Sequence, residues 1–212
     1  MSDKYPKIVT VYTRDADNKY KTLVEGDFAL PEFEYLADCE WVWTEKVDGT
    51  NIRVIWDGER VTFAGRTDNS QMPTFLLAKL QELFPAEQFI NGIPMTLYGE
   101  GYGAKIQKGG GNYIPGGVSF ILFDVKIVNW QPRKAIEEMA AKWGIDIVPV
   151  VGRGTLAEAV DMVRQGFMST KISASEHLAE GLVMRPAVEL AGRGGKRIIT
   201  KIKYKDFGRE NV

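Results

Sequence analysis

The sequence predicts an α+β protein of mainly antiparallel sheets flanked by helices. Eight short stretches rich in β-branched and aromatic residues are scattered among only three stretches of helical periodicity. Asp57-Gly58 lies between two of the strand-like runs, where glycine tolerates the positive φ of a tight hairpin turn. The composition, 44% hydrophobic and 26% charged over 212 residues, is ordinary for a globular chain. A chain of that length can bury a core without disulfides or a structural metal.

The strand-like runs are 7–12, 41–45, 52–56, 61–64, 95–98, 118–127, 181–185 and 197–203. A helix over 74–84 follows from Leu76, Leu77, Leu80, Leu83 and Phe84 at helical spacing, stopped by Pro85. A second, over 132–143, opens on Pro132, turns Ile136, Met139, Ala140 and Trp143 inward and ends at Gly144. A third, over 155–167, starts with Thr155 and Glu158 in a capping box and gathers Leu156, Ala159, Val160 and Val163 on one side. Those apolar stripes read as core faces. Residues 99–117 hold eight glycines together with Lys105 and Lys108, which reads either as a mobile surface loop or as a loop tracking a ligand. With no internal repeat and no long linker, one domain over 1–212 is expected.

Several function classes are excluded at this level. Cys39 is the only cysteine and there is one histidine, so neither an internal disulfide nor a Cys/His zinc site can be built. No apolar run approaches the roughly 18–20 residues that span a bilayer, and residues 1–7 are polar rather than signal-like, so a cytoplasmic protein without membrane contact is expected. The net charge is −1, but it is unevenly spread. Residues 181–212 hold 8 Lys and Arg against 3 Asp and Glu, whereas 1–180 carry a net −6. A basic end on an acidic body points to an anionic partner or to a solvated tail.

The segment Glu45-Lys46-Val47-Asp48-Gly49-Thr50-Asn51-Ile52 carries the most chemistry. One strand ends at Glu45 and another begins near Ile52, so Lys46 sits at a junction followed by an Asp-Gly turn. A lysine held beside cations or partly out of water loses its proton more readily and becomes a nucleophile. Lys46-Val47-Asp48-Gly49 resembles the KxDG signature of the covalent nucleotidyltransferases, the polynucleotide ligases and mRNA capping enzymes. Further motifs of that superfamily have matches downstream in the same order. They are Arg66 in Ala64-Gly65-Arg66-Thr67, Glu100 in Tyr98-Gly99-Glu100-Gly101, and Phe123-Asp124. Glu180 in Glu180-Gly181-Leu182-Val183 and the pair in Lys201-Ile202-Lys203 complete the set.

Within the superfamily the chain resembles the RNA-repair and RNA-editing ligases of bacteriophage and trypanosome type. DNA ligases and capping enzymes typically carry arginine where this chain has Asn51, while the RNA ligases usually carry histidine where it has Asp48. The resemblance implies a nucleotidyltransferase (ATP-grasp-like ligase adenylation) fold. It implies an ATP-dependent RNA ligase, phage-encoded sources included, in which Lys46 takes AMP from ATP. The AMP then passes to an RNA 5′-phosphate, and a 3′-hydroxyl displaces it. It further implies Mg²⁺ or Mn²⁺ handled by Asp48, Glu100 and Glu180. Lys201 and Lys203, on one face of a strand, would neutralise the α-phosphate. Glu45, Asn51, Arg66, Glu100 and Phe123 would hold the nucleotide, with Phe123 as the stacking platform and core burial as its alternative. Nine residues follow Lys203, so no appended OB-fold or helical domain is expected, and a separate protein could supply further substrate binding. A DNA ligase, a capping-type transferase and a non-catalytic nucleotide- or RNA-end-binding module remain the alternatives. Asn51 argues against the first two, and the intact Lys46, Glu180, Lys201 and Lys203 against the third.

Overall fold

The structure is a computed structural model, and residues 4–89, 92–172 and 177–209 are described. The chain opens with β1 (Val9–Thr10), β2 (Tyr12–Arg14) and β3 (Leu23–Phe28), then a short helix α1 (Pro31–Tyr35) and β4 (Trp41–Glu45). Strands β5 (Thr50–Trp56) and β6 (Val61–Gly65) come next, followed by helix α2 (Thr74–Leu83). Strand β7 (Met95–Gly103), a single helical turn α3 (Gly110–Tyr113) and β8 (Val118–Lys126) precede helix α4 (Arg133–Trp143). The remainder is β9 (Asp146–Ile147), β10 (Val150–Gly154), helix α5 (Leu156–Gln165), β11 (Gly181–Pro186), β12 (Thr200–Lys203) and a 3₁₀ turn at Tyr204–Phe207.

These elements form two compact units, one of Lys7–Val47 and Pro149–Val212, the other of Met1–Pro6 and Asp48–Val148. The first unit holds a five-stranded sheet in the order β1-β12-β11-β4-β10 and the two-stranded β2-β3 hairpin. All pairings in the larger sheet are antiparallel except β1 with β12. Alternation in Trp41-Val42-Trp43-Thr44-Glu45 buries the first, third and fifth side chains. Helix α5 lies against this sheet with Leu156, Ala159, Val160 and Val163 buried among Trp41, Trp43, Leu182, Met184 and Ile202. Its start is fixed as the sequence requires. Thr155 Oγ1 accepts from Glu158 N, and Glu158 Oε2 accepts from Thr155 N at 2.8 Å.

The second unit is a five-stranded sheet in the order β6-β5-β7-β8-β9, antiparallel except for β8 with β9. Helices α2 and α4 pack on β8, and Leu76, Leu80, Ile136 and Ala140 join Ile52, Val54, Leu97, Phe120 and Leu122 in its core. Each fully buried aliphatic side chain in such a core contributes about 1.5–3 kcal/mol. Helix α4 ends on Gly144 in the left-handed region, φ +64°, the C-terminal stop its sequence predicts.

Two expectations are corrected here. The glycine-rich stretch is not one loop, because Gly99, Gly101 and Gly103 lie inside β7 and Gly110 opens α3. The glycines admit neighbours rather than flexibility. A Cβ at Gly99 would stand 2.1 Å from the Phe120 ring, and one at Gly101 would stand 2.8 Å from Leu76 Cδ2. The second correction concerns Phe123, which strict alternation places on one face with Ile121 and Val125. The β7–β8 register shifts between Tyr98, paired with Asp124, and Gly99, paired with Leu122. Phe123 is the extra residue of that bulge. Beyond it Val125 rejoins Phe120 and Leu122 in the core, and Phe123 stays partly exposed.

Unpredicted elements are β3, α1, α3, β9 and β10, all short or weakly patterned. The expected strand over 197–203 begins only at Thr200. Among the described residues, no helix is long and apolar enough to cross a membrane.

Candidate active site

Lys46 follows the last residue of β4, and its backbone N–H donates to Gly181 O at 2.9 Å, which ties it to the start of β11. Its Nζ lies 2.5 Å from Glu180 Oε2, and Lys203 Nζ lies 2.5 Å from Glu180 Oε1. The Glu180 side chain is only 3% exposed. Lys201 and Lys203 are both half-buried on β12, with Ile202 between them buried in the core, as a period of two requires. Antiparallel pairing of β11 with β12 sets Lys203 opposite Gly181 and so brings it to Glu180.

Three ammonium groups therefore gather about one carboxylate. Burial by itself raises the Glu180 pKa, but Lys46 and Lys203 together outweigh it, and the group ends below the ordinary carboxylate range. Lys201 moves in the other direction from its ordinary value. Burial first, then repulsion from Lys203 and Lys46, pull it down to about 8 against the opposing pull of Glu180 and Asp206. A cluster with this surplus of positive charge is a ready receptor for a polyanion.

The lowered Lys201 makes folding stability depend on pH. The unfolded chain holds its Lys201 proton to about pH 10.4, whereas the folded protein releases it near pH 8. Between those values the unfolded state binds more protons, so folding stability gains with rising pH. Thermal midpoints measured from pH 7.5 to 10 should therefore improve for the wild type relative to Lys201→Met. A difference that is flat or falls with pH contradicts the assignment.

Glu45 is 1% exposed, and its carboxylate is spent within the protein. Ser169 Oγ donates to Oε1 at 2.5 Å, and Thr170 donates to Oε2 from N at 2.9 Å and from Oγ1 at 2.6 Å. Glu45 anchors 169–170 and fixes the strand end that carries Lys46. Asp206, also 1% exposed, accepts from Arg14 Nη2 at 2.8 Å and from Lys203 N at 3.0 Å. The sequence reading missed Arg14, Ser169, Thr170 and Asp206. Only Asp206 had a local signal, since it stands three residues after Lys203 as a capping carboxylate does.

The second unit carries Asp48, Asn51, Arg66, Glu100 and Phe123. Asn51 on β5 pairs with Glu100 on β7. Asn51 Oδ1 is buried with no hydrogen-bond partner among the described residues, a costly state that a bound donor relieves. Tyr113 Oη accepts from Asp48 N at 3.2 Å, and Gln107 Nε2 donates to Gly49 O at 2.9 Å, so the Asp-Gly turn is held from α3 and the segment just before it. A Cβ at Gly49 would meet Gly101 O at 2.3 Å, which fixes glycine at that point of the turn. Arg66 is exposed just past β6, on a segment pinned by the buried Arg53, which donates to Gly65 O at 2.9 Å and to Asp68 Oδ1 at 2.7 Å. Phe123 receives the Tyr5 ring edge-on at 5.0 Å between centroids. Among the described residues, no three His, Cys, Asp or Glu side chains converge to hold a metal ion.

Two mainly antiparallel sheets, with a lysine leaving one strand beside a buried glutamate and a strand bearing two more lysines, define the fold of an RNA ligase nucleotidyltransferase domain. The chain belongs to the RNA ligase family, whose model matches residues 39–204. Solved structures of a Naegleria gruberi RNA ligase share the fold. An apo variant aligns with a TM-score of 0.64 at 18% identity over 95% of this chain and 57% of that one. The same ligase with PPi gives 0.63 at 19% over 94% and 57%, and a variant with ATP and Mn gives 0.63 at 19% over 94% and 57%. The chain thus spans about 57% of the length of the ligase it matches. No curated protein sequence matches it.

Proposed function

We propose that the protein is an ATP-dependent RNA ligase acting in RNA repair in the cytoplasm, with Lys46 as the nucleophile. One observation carries the reading: the buried Glu180 held between Lys46 and Lys203, with Lys201 beside them lowered to a pKa of about 8. In the first step Lys46 Nζ, having lost a proton to solvent, attacks the α-phosphorus of ATP. The N–P bond forms as the bond to the β-phosphate oxygen breaks, and pyrophosphate leaves. Lys201 and Lys203 meet the charge that develops on the α-phosphate oxygens. Transfer of AMP to an RNA 5′-phosphate and displacement of AMP by a 3′-hydroxyl then close the strand.

The remaining roles follow the family pattern. Asn51 and Arg66 hold ribose or phosphate, with the orphaned Asn51 Oδ1 fitted to a hydroxyl donor. Phe123, left partly exposed by the bulge, is the base platform. Asp48, Glu100 and Glu180 are the carboxylates suited to Mg²⁺ or Mn²⁺ in the way these ions are usually held, through few carboxylates, waters and substrate phosphates. When bound, the ion would neutralise phosphate charge. The chain works as one adenylyltransferase domain, and a separate protein that contributes substrate binding is compatible with it.

The test is self-labelling with each of the four nucleoside triphosphates and NAD, followed by sealing of matched RNA and DNA nicks. ATP alone should label the protein, and sealing should require RNA on the 3′-hydroxyl side, where the 2′-hydroxyl tells the substrates apart. Labelling by GTP, or equal sealing of an all-DNA nick, overturns the reading in favour of a capping-type enzyme or a DNA ligase.

A further inference from the structure

The β2–β3 hairpin carries a feature that the nucleotidyl-transfer chemistry leaves unused. Its tip reads Lys19-Tyr20-Lys21, and Tyr20 is 63% exposed. Lys19 and Tyr20 both adopt left-handed backbone, φ 52° and 60°, a conformation that side-chain-bearing residues rarely take in succession. The turn is nonetheless well tied. Tyr20 N donates to Asp15 O at 2.7 Å, Lys19 N to Ala16 O at 3.1 Å, and the Asp15 carboxylate accepts from the backbone of Asp17 and Asn18. Arg14 braces it from below, donating to Tyr20 O at 3.1 Å through Nη1 while Nη2 holds the buried Asp206. Strain maintained by this many bonds, at an exposed aromatic, marks a presented side chain rather than a loose loop.

What the hairpin faces is equally specific. Arg14, Tyr20, Lys21, Lys201, Lys203 and Lys205 line a cavity of about 470 Å³ together with Asp206. Asp206 is the one carboxylate among these, and it is committed to Arg14 and to Lys203 N. Lys21 and Lys205 are exposed. The cavity is therefore cationic, continuous with the two strand lysines, and fitted with one aromatic ring. Free phosphate or pyrophosphate would use the cations but has no need of the ring. A nucleic-acid strand uses both, because each base offers a π-face beside a phosphate.

We propose that the hairpin tip is an RNA-holding arm: Tyr20 stacks on a base near the strand end that is to be joined, and Lys21 and Lys205 contact its phosphates. This deepens the RNA ligase reading and rests on it for the identity of the strand. It also assigns the basic end of the sequence. Lys201 and Lys203 belong to the nucleotide, and Lys205 belongs to the RNA.

The test is a titration of the full chain with a 5′-phosphorylated oligoribonucleotide carrying 2-aminopurine near its 5′ end. Tyr20→Ala should weaken binding by about 5- to 100-fold and remove the fluorescence quench that stacking produces. Tyr20→Phe should keep both. Lys21→Ala and Lys205→Ala should each lower the slope of log affinity against log salt by about 0.7. Binding by Tyr20→Ala as tight as wild type overturns the proposal. So does failure of Tyr20→Phe to restore it, which would leave Tyr20 a structural role only. Dependence of inorganic pyrophosphate binding, but not RNA binding, on Lys21 and Lys205 also overturns it. Self-labelling of the wild type with ATP is scored separately. Its absence would sink the ligase reading, while the titration would still decide whether the hairpin holds RNA.

Discussion

Lys46→Ala is expected to abolish covalent labelling by ATP, lowering it at least about a thousand-fold, because the Lys46 amine is the group proposed to bond to AMP. The substitution removes one of three ammonium groups around a single carboxylate, so the fold should survive it. Lys203 still holds Glu180 at 2.5 Å, and the Glu180 charge is still compensated. Circular dichroism and the thermal midpoint should therefore stay close to wild type, which separates lost chemistry from lost structure. The substitution also reports on the cluster. Lys46 is one of the charges that depress Lys201, so in the variant Lys201 should move back toward its ordinary value. Undiminished labelling of Lys46→Ala would place the nucleophile elsewhere.

Glu180→Ala should have the largest effect on stability. The carboxylate is 3% exposed and answers two ammonium groups, whose side chains are 20% and 18% exposed. Removing one partner of a buried ionic group leaves the others uncompensated, which typically costs 3–5 kcal/mol. Since both lysines retain some contact with water, we expect about 3–4 kcal/mol, the lower part of that range. An anion should partly replace the missing charge. Sulfate or pyrophosphate should therefore raise the thermal midpoint of Glu180→Ala more than that of the wild type, because a ligand stabilises the state that binds it. The pH dependence has a definite sign as well. The Glu180 pKa is depressed in the folded protein, so its contribution is full above the unfolded carboxylate value and is lost as pH falls through the folded one. The gap between wild type and variant should close in acid. A variant as stable as wild type at neutral pH would contradict the ion-pair geometry.

The parts of this protein that the sequence made legible are those encoded within a few residues. Strand β4 has the bounds its alternation predicts, α5 begins on the capping box of Thr155 and Glu158, and α4 stops at Gly144. The Lys46 junction and the shared face of Lys201 and Lys203 were readable for the same reason. Interactions made across long separations were not. Arg14 and Asp206 are 192 positions apart, and Glu45 meets Ser169 at a separation of 124. Nothing local to any of them announces the partner. Phe123 shows a different limit. Alternation assumes an unbroken ladder, and one extra residue, Phe123, opposite the Tyr98–Gly99 step reverses the face on which later side chains fall. The glycines of β7 misled for a related reason, since glycine marks a loop and a close approach equally well. Only Phe120 and Leu76, brought in by the fold, decide between them.

The central claim is that Lys46 accepts the nucleotide. It is tested most directly by incubating the wild-type protein with ATP and a divalent metal, digesting it under alkaline or neutral conditions that preserve a phosphoramidate, and mapping the adduct by mass spectrometry. The account predicts AMP on the peptide containing Lys46 and on no other. An adduct on Lys201 or Lys203, or none at all, would contradict it.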